Sequence, residues 1–294
     1  MFLQYPYASL GHTNETGSAA PTPLDPTTIP KFVNQFSVPP VFMPTVVKHS
    51  VSGKIKSHDY RVTASRFTQQ ILPEGFPATT VWGYGGKVRI PETNEIIPDF
   101  RSTPSPTFEA KRHIPINVQW CNNLTEPHPL AVDPTLHWAN PNNMEMPMPP
   151  FLPFPPGYPL AQSPVPMVPH LHGGETEPSS DGFPDAWFTA GEAITGPTFI
   201  KSRYHYANEQ EPTTLWYHDH TLGMTRLNVM MGLAGFYVLR DPQNPLDGKY
   251  SVLPQGKLSC PWSSRTDPSM TTAPWPIPVR ESFPMFIPTG YQGF

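Results

Sequence analysis

Cysteine is almost missing from this sequence, with 2 in 294 residues. A disulfide framework is thereby excluded. Charge is sparse too: charged residues make up 14% of the chain, the formal net charge is −4, and no Lys/Arg cluster occurs. Recognition of nucleic acid through a basic face is excluded on that balance. Long apolar runs are absent, and none approaches the roughly 18–20 residues that span a bilayer, so no membrane span is expected. The opening MFLQYPYASLGHTNETGS has no basic stretch followed by an apolar one, so no secretory signal is read there.

What the chain has in excess is proline, at 43 of 294 residues. That is about three times the ~5% of an average protein. Proline breaks helix interiors, so a helix-rich fold is disfavoured. With 17 Phe, 11 Tyr and 7 Trp the chain can still fill a core. Short β-branched or aromatic runs recur between turn residues at Val41–Val47, Tyr60–Thr68, Thr79–Trp82, Ile114–Trp120, Thr213–Tyr217 and Gly235–Leu239. This texture predicts an all-β sandwich or barrel with long proline-rich loops. Residues 1–30 read as a tail, 31–242 as the strand-rich body, and beyond Asp241-Pro242 the pattern degrades through 243–294. Residues 145–169 hold ten prolines in 25 positions. The segment reads as an insertion loop packed on the domain rather than a displayed polyproline ligand, because its Met and aromatic residues suit packing.

Two segments carry chemistry. One is His170-Leu171-His172-Gly173-Gly174, with Asp181-Gly182 nine residues after the second histidine; the other is Leu215-Trp216-Tyr217-His218-Asp219-His220. On a strand, residues i and i+2 share a face, roughly 6.5–7 Å apart. That separation suits two neighbouring metal ions better than chelation of one. Two such pairs on adjacent strands would bring four neutral nitrogen donors together, a set that suits copper among imidazole-binding metals. His170, His172, His218 and His220 are therefore the candidate ligands. His205, in YHYANEQ, reads as a hydrogen-bonded structural histidine, and Trp216 and Tyr217 as core residues.

The stretches HLHGGETEPSSDGFPDAWF and LWYHDHTLGMTRLNVMMGLAGFYVLRDP resemble the first domain of multicopper oxidases, in the branch of spore-coat laccases and bilirubin oxidases. Agreement extends upstream through KFVNQFSVPPV, VWGYGG, SPTFEA and VQWCNNL, and so covers roughly 31–242. The resemblance implies a cupredoxin-like Greek-key β-sandwich and an enzyme that oxidises phenolic, pigment or metal-ion substrates and reduces O2 to water. It implies that His170 ligates a type 2 copper and that His172, His218 and His220 ligate a type 3 pair. Asp181 matches an acidic residue that supplies protons, while its Asp-Gly context also fits an ordinary turn. Relatives of this kind occur in spore coats, periplasm and cytoplasm, so localisation stays open.

The family's trinuclear cluster takes eight histidines from four H-x-H motifs, and this sequence supplies two of those motifs. Its type 1 copper needs a cysteine flanked by histidine, and neither Cys121 nor Cys260 qualifies. The chain as written is expected to be inactive alone. The alternative is a non-catalytic copper-binding module completed by a partner chain that carries the missing ligands. One permitted codon set for Cys260–Pro276, read from the last base of the Ser259 codon, spells MPLVIQDRSFYDDGSLA, similar to the start of a second cupredoxin domain. The expectation is a one-base slip that leaves the chain out of frame from about residue 258; the alternative is a genuine divergent C-terminus.

Overall fold

The structure, a computed structural model, describes residues 24–34, 38–49, 51–145 and 159–246. Cys260 and the segment expected to be out of frame lie outside the described residues, as do residues 1–23 of the tail and 146–158 of the proline-rich segment.

Among the described residues eleven strands make the body: β1 (Val41–Phe42), β2 (Thr45–Lys48), β3 (Ile55–Gln69), β4 (Thr79–Arg89), β5 (Ile96–Arg101), β6 (Ser105–Lys111), β7 (Ile116–Asn122), β8 (Pro169–His172), β9 (Arg203–Tyr206), β10 (Thr213–Asp219) and β11 (Ala234–Arg240). The α-helices among the described residues are short: α1 (Pro159–Gln162), α2 (Pro178–Asp181) and α3 (Thr225–Met231). The strands hydrogen-bond in the order β8-β10-β11-β6-β1-β4-β3-β7-β9, with β2 on β3 and β5 on β4. Most pairs are antiparallel, but β1–β6, β6–β11 and β3–β7 run parallel, so the chain crosses between sheet regions rather than folding as simple hairpins.

The sheet doubles over on itself. β10 and β7 stand far apart in the strand order, yet the rings of Tyr217 and Trp120 lie 5.8 Å apart. Phe108 of β6 fills the gap, 5.1 Å from both Tyr60 and Tyr217 and 5.6 Å from Tyr237. Strict alternation in β7, INVQWCN, sends Ile116, Val118 and Trp120 into this core. The result is the all-β sandwich that the aromatic and β-branched runs predict. The described part of the proline-rich segment packs inward, burying Ala161, Val165, Met167 and Val168. Met167 exchanges both backbone hydrogen bonds with Phe188, and this brings the chain into β8.

The Val41–Val47 run divides into β1 and β2, because Pro44 has no N–H to continue a ladder. Cys121 lies half-buried in β7 as a free thiol. His205 is held structurally, as its sequence context predicts: its Nδ1 lies 2.9 Å from Asn117 Oδ1 and its N–H donates to Ser180 Oγ.

Candidate metal centre

The two H-x-H motifs land on neighbouring strands. β8 pairs antiparallel with β10, and the register sets His170 opposite His218 and His172 opposite Trp216. Alternation puts Trp216, His218 and His220 on one face and turns Tyr217 and Asp219 into the interior. Donor nitrogens of His170, His172 and His218 lie within 4.8 Å of one another. His220 joins by its ring, stacked on that of His170 at 4.5 Å and 19°.

The outer ring nitrogens are committed to backbone carbonyls. His170 Nδ1–H donates to the Asp181 carbonyl at 2.5 Å, His218 Nδ1–H to the Asp219 carbonyl at 2.6 Å, and His220 Nδ1–H to the Gly182 carbonyl at 2.9 Å. Each such bond fixes the tautomer that leaves a lone pair on Nε2. His172 differs: its Nδ1 lies 3.2 Å from His218 Nε2, a separation that two metal–nitrogen bonds of about 2.0 Å can span. One ion can therefore take a nitrogen from each motif. By ring centroid the cross-motif pair His172 and His218 stands 5.4 Å apart, close to the 5.6 Å of His170 and His172 and the 5.7 Å of His218 and His220.

Burial favours the neutral form of two of the histidines. It pushes the imidazole of His170 down, and that of His218 down to about 4, with the neighbouring histidines adding to the effect. A neutral imidazole is the form that ligates metal. Exposure is graded, from His218 at 4% to His172, which is exposed, so the cluster opens toward the surface on the His172 side.

The carbonyls that hold His170 and His220 come from one short element. α2 ends at Asp181, and Gly182 follows it in the left-handed conformation, φ 78°. A side chain at 182 would overlap the Pro169 carbonyl, just ahead of His170. The helix is anchored to β9 through Ser180, whose hydroxyl accepts from the His205 N–H and donates to Glu177 Oε1. Lys201 also donates to Glu177 and, with Ser179 and Ser180, holds that carboxyl down to about 2. Asp181 thus sits beside the cluster. Its Oδ1 accepts from Thr176 Oγ1 at 2.6 Å and lies 3.7 Å from His170 Nδ1, and its side chain is 27% exposed.

Three features escape the sequence reading. Trp216, expected in the core, is half-buried, and its ring stacks on His218 at 4.0 Å and on His172 at 5.2 Å. The spacing held that signal, since i and i+2 share a face. Asp219, between His218 and His220, is fully buried and accepts from four donors: Val168 N–H, Thr221 N–H, Thr221 Oγ1–H and Asn228 Nδ2–H. Burial raises its carboxyl to about 6 against the pull of those donors. Behind it lie Asn228 and His128, both buried, and no motif in the sequence announces them.

Comparison with known proteins comes after this geometry. Residues 162–244 match a family model described as multicopper oxidase. The chain is 37% identical over 216 residues to a laccase of Bacillus subtilis (strain 168), covering 74% of this chain and 34% of that protein. It is 40% identical over 192 residues to the multicopper oxidase LPR1 of Arabidopsis thaliana, covering 65% and 28%. A laccase of Haloferax volcanii is 33% identical over 251 residues, covering 85% and 36%. The chain spans about a third of the length of these curated relatives.

Proposed function

The chain belongs to the multicopper oxidase family, and we propose that it forms the copper-binding first part of an oxidase that takes electrons from small phenolic, pigment or metal-ion substrates and reduces O2 to water. We take residues 31–242 as its first cupredoxin domain. The observation that carries the reading is the convergence of His170, His172, His218 and His220, with three of their Nδ1 atoms tied to carbonyls. The donor set fits copper, since neutral imidazoles converge and no carboxylate is among the clustered donor atoms. In this reading His170 serves the type 2 position and His172, His218 and His220 the type 3 positions. When bound, copper supplies the one-electron redox chemistry that O2 reduction requires.

The chain's own residues hold, orient and protonate. Three carbonyls fix the tautomers, so the ligands need no rearrangement to bind. Asp181 is the residue placed to supply protons: its carboxyl lies 3.7 Å from His170 Nδ1 and is open to water. The remaining coordination positions are filled from outside residues 24–246, either by further domains of the same protein or by a partner chain. The exposed edge at His172 keeps the second route in play. Cys121 lies half-buried in β7, paired with Thr63 of β3 and flanked by no histidine, and gives no electron-entry site. In this reading the chain by itself is inactive as an oxidase.

Titration of the metal-free chain with Cu(II) tests this. Copper is expected to bind weakly, with no intense band near about 600 nm, the signature of a cysteine–copper bond. Replacing all four histidines by alanine is expected to abolish the binding. Equal uptake by the folded four-alanine chain, or none by the parent, overturns the reading.

A further inference from the structure

We propose that Asp219 is the positioning residue of the histidine cluster, held in place by a buried relay through Asn228 to His128. The inference rests on the copper-site reading above and names what sets the geometry of that site. Strand register alone does not place all four rings. β10 ends at Asp219, so His220 lies beyond the ladder that holds His218 opposite His170. What carries the chain past that point is the Asp219 carboxylate.

Four donors fill its two oxygens. Val168 N–H and Thr221 Oγ1–H reach Oδ2, and Thr221 N–H and Asn228 Nδ2–H reach Oδ1, at 2.9–3.1 Å. One oxygen thus ties the ligand strand to the start of β8, and both tie it to the residue after His220. The His220 N–H closes the same loop on the Val168 carbonyl at 2.8 Å. A carboxylate accepts four such bonds and an amide cannot, because its NH2 would face donors.

The relay fixes the remaining partner. His128 Nδ1 accepts from the Leu130 N–H at 3.0 Å, so the ring proton is on Nε2 and donates to Asn228 Oδ1 at 3.1 Å. The Asn228 amide is thereby oriented, with its NH2 toward Asp219 and the Pro166 carbonyl. Pro166 lies two residues ahead of Val168, so the same amide clamps the approach to β8.

The test compares the parent chain with Asp219→Asn and Thr221→Val, the second removing one donor without touching a histidine. Two readouts are taken on folded protein: Cu(II) affinity by titration, and the ring tautomer of His220 by long-range 1H–15N NMR without metal. Asp219→Asn is expected to bind Cu(II) about tenfold more weakly or worse. His220 is expected to lose its fixed Nδ1–H form while His205 stays unchanged; Thr221→Val shifts both readouts in the same direction by less. Parent affinity with an unchanged His220 overturns the proposal. So does weakened affinity with an unchanged His220, because the effect then bypasses that ring. If Asp219→Asn does not fold, Thr221→Val decides by the same criteria. If the parent binds no Cu(II), the functional reading falls, and the NMR arm alone decides whether Asp219 positions the ring.

Discussion

Replacing Gly182 with alanine is expected to destabilise the fold by about 3–4 kcal/mol and to weaken Cu(II) binding by about 10–100-fold. Two effects combine. Alanine in the left-handed region, at φ 78°, costs about 1–2 kcal/mol. The new methyl also overlaps the backbone carbonyl of Pro169, and a strand cannot yield as a flexible side chain can. Pro169 starts β8 and pairs with Asp219, so its displacement moves His170 on one side and His218 on the other. The Gly182 and Asp181 carbonyls are also the acceptors for His220 and His170. Gly191 supplies the control, with φ 65° and nothing within 4 Å of an added methyl. Gly191→Ala should show only the conformational penalty of about 1–2 kcal/mol and no change in copper affinity. Thermal melts and Cu(II) titration of the two variants separate backbone strain from damage to the site. A folded Gly182→Ala chain with parent copper affinity would show that these carbonyls do not orient the ligands.

The reason one glycine reaches so far also explains what the sequence could reveal. Local signals were readable where one residue's neighbours decide its role. Runs such as Tyr60–Thr68, Thr79–Trp82 and Thr213–Tyr217 became β3, β4 and β10, because β-branched and aromatic side chains suit a pleated, half-buried surface. The missed strands had reasons of their own. β6, SPTFEAK, is buried on both faces over its first four residues, lying between β1 and β11, so it shows no alternation. β5 carries a proline, and β9 is a four-residue RYHY. At the site, the spacing of His170, His172, His218 and His220 was enough to foretell that each motif presents its two rings to one side, because a period of two needs no knowledge of partners. The same period, applied two residues back from His218 and one residue on, would have moved Trp216 to the histidine face and Asp219 to the interior. His128 and Asn228 were not legible by any such rule. They are separated by 100 positions and meet only once α3 packs under the loop after β7.

The buried histidine of that relay makes the fold acid-sensitive. Desolvation lowers the His128 imidazole from its ordinary value to about 4. Between the unfolded value of 6.5 and that point, the unfolded chain takes up a proton that the folded chain refuses. The contribution of His128 to stability is therefore complete above about pH 6.5 and is lost as pH falls toward 4. At about 1.4 kcal/mol per pH unit the whole effect is about 3 kcal/mol. His218, lowered to about 4, acts in the same direction, while the raised carboxyl of Asp219 opposes it. A difference measurement removes both, since they are shared by the parent and a His128→Gln chain. Glutamine can donate and accept at this site but does not titrate. By denaturant unfolding, His128→Gln should be the less stable protein at pH 7.5, and the gap should narrow by about 2–3 kcal/mol by pH 4.5. Parallel pH profiles for the two chains would mean that His128 is protonated in the folded state. The Asn228 amide would then be oriented by something other than the Nε2–H of a neutral ring.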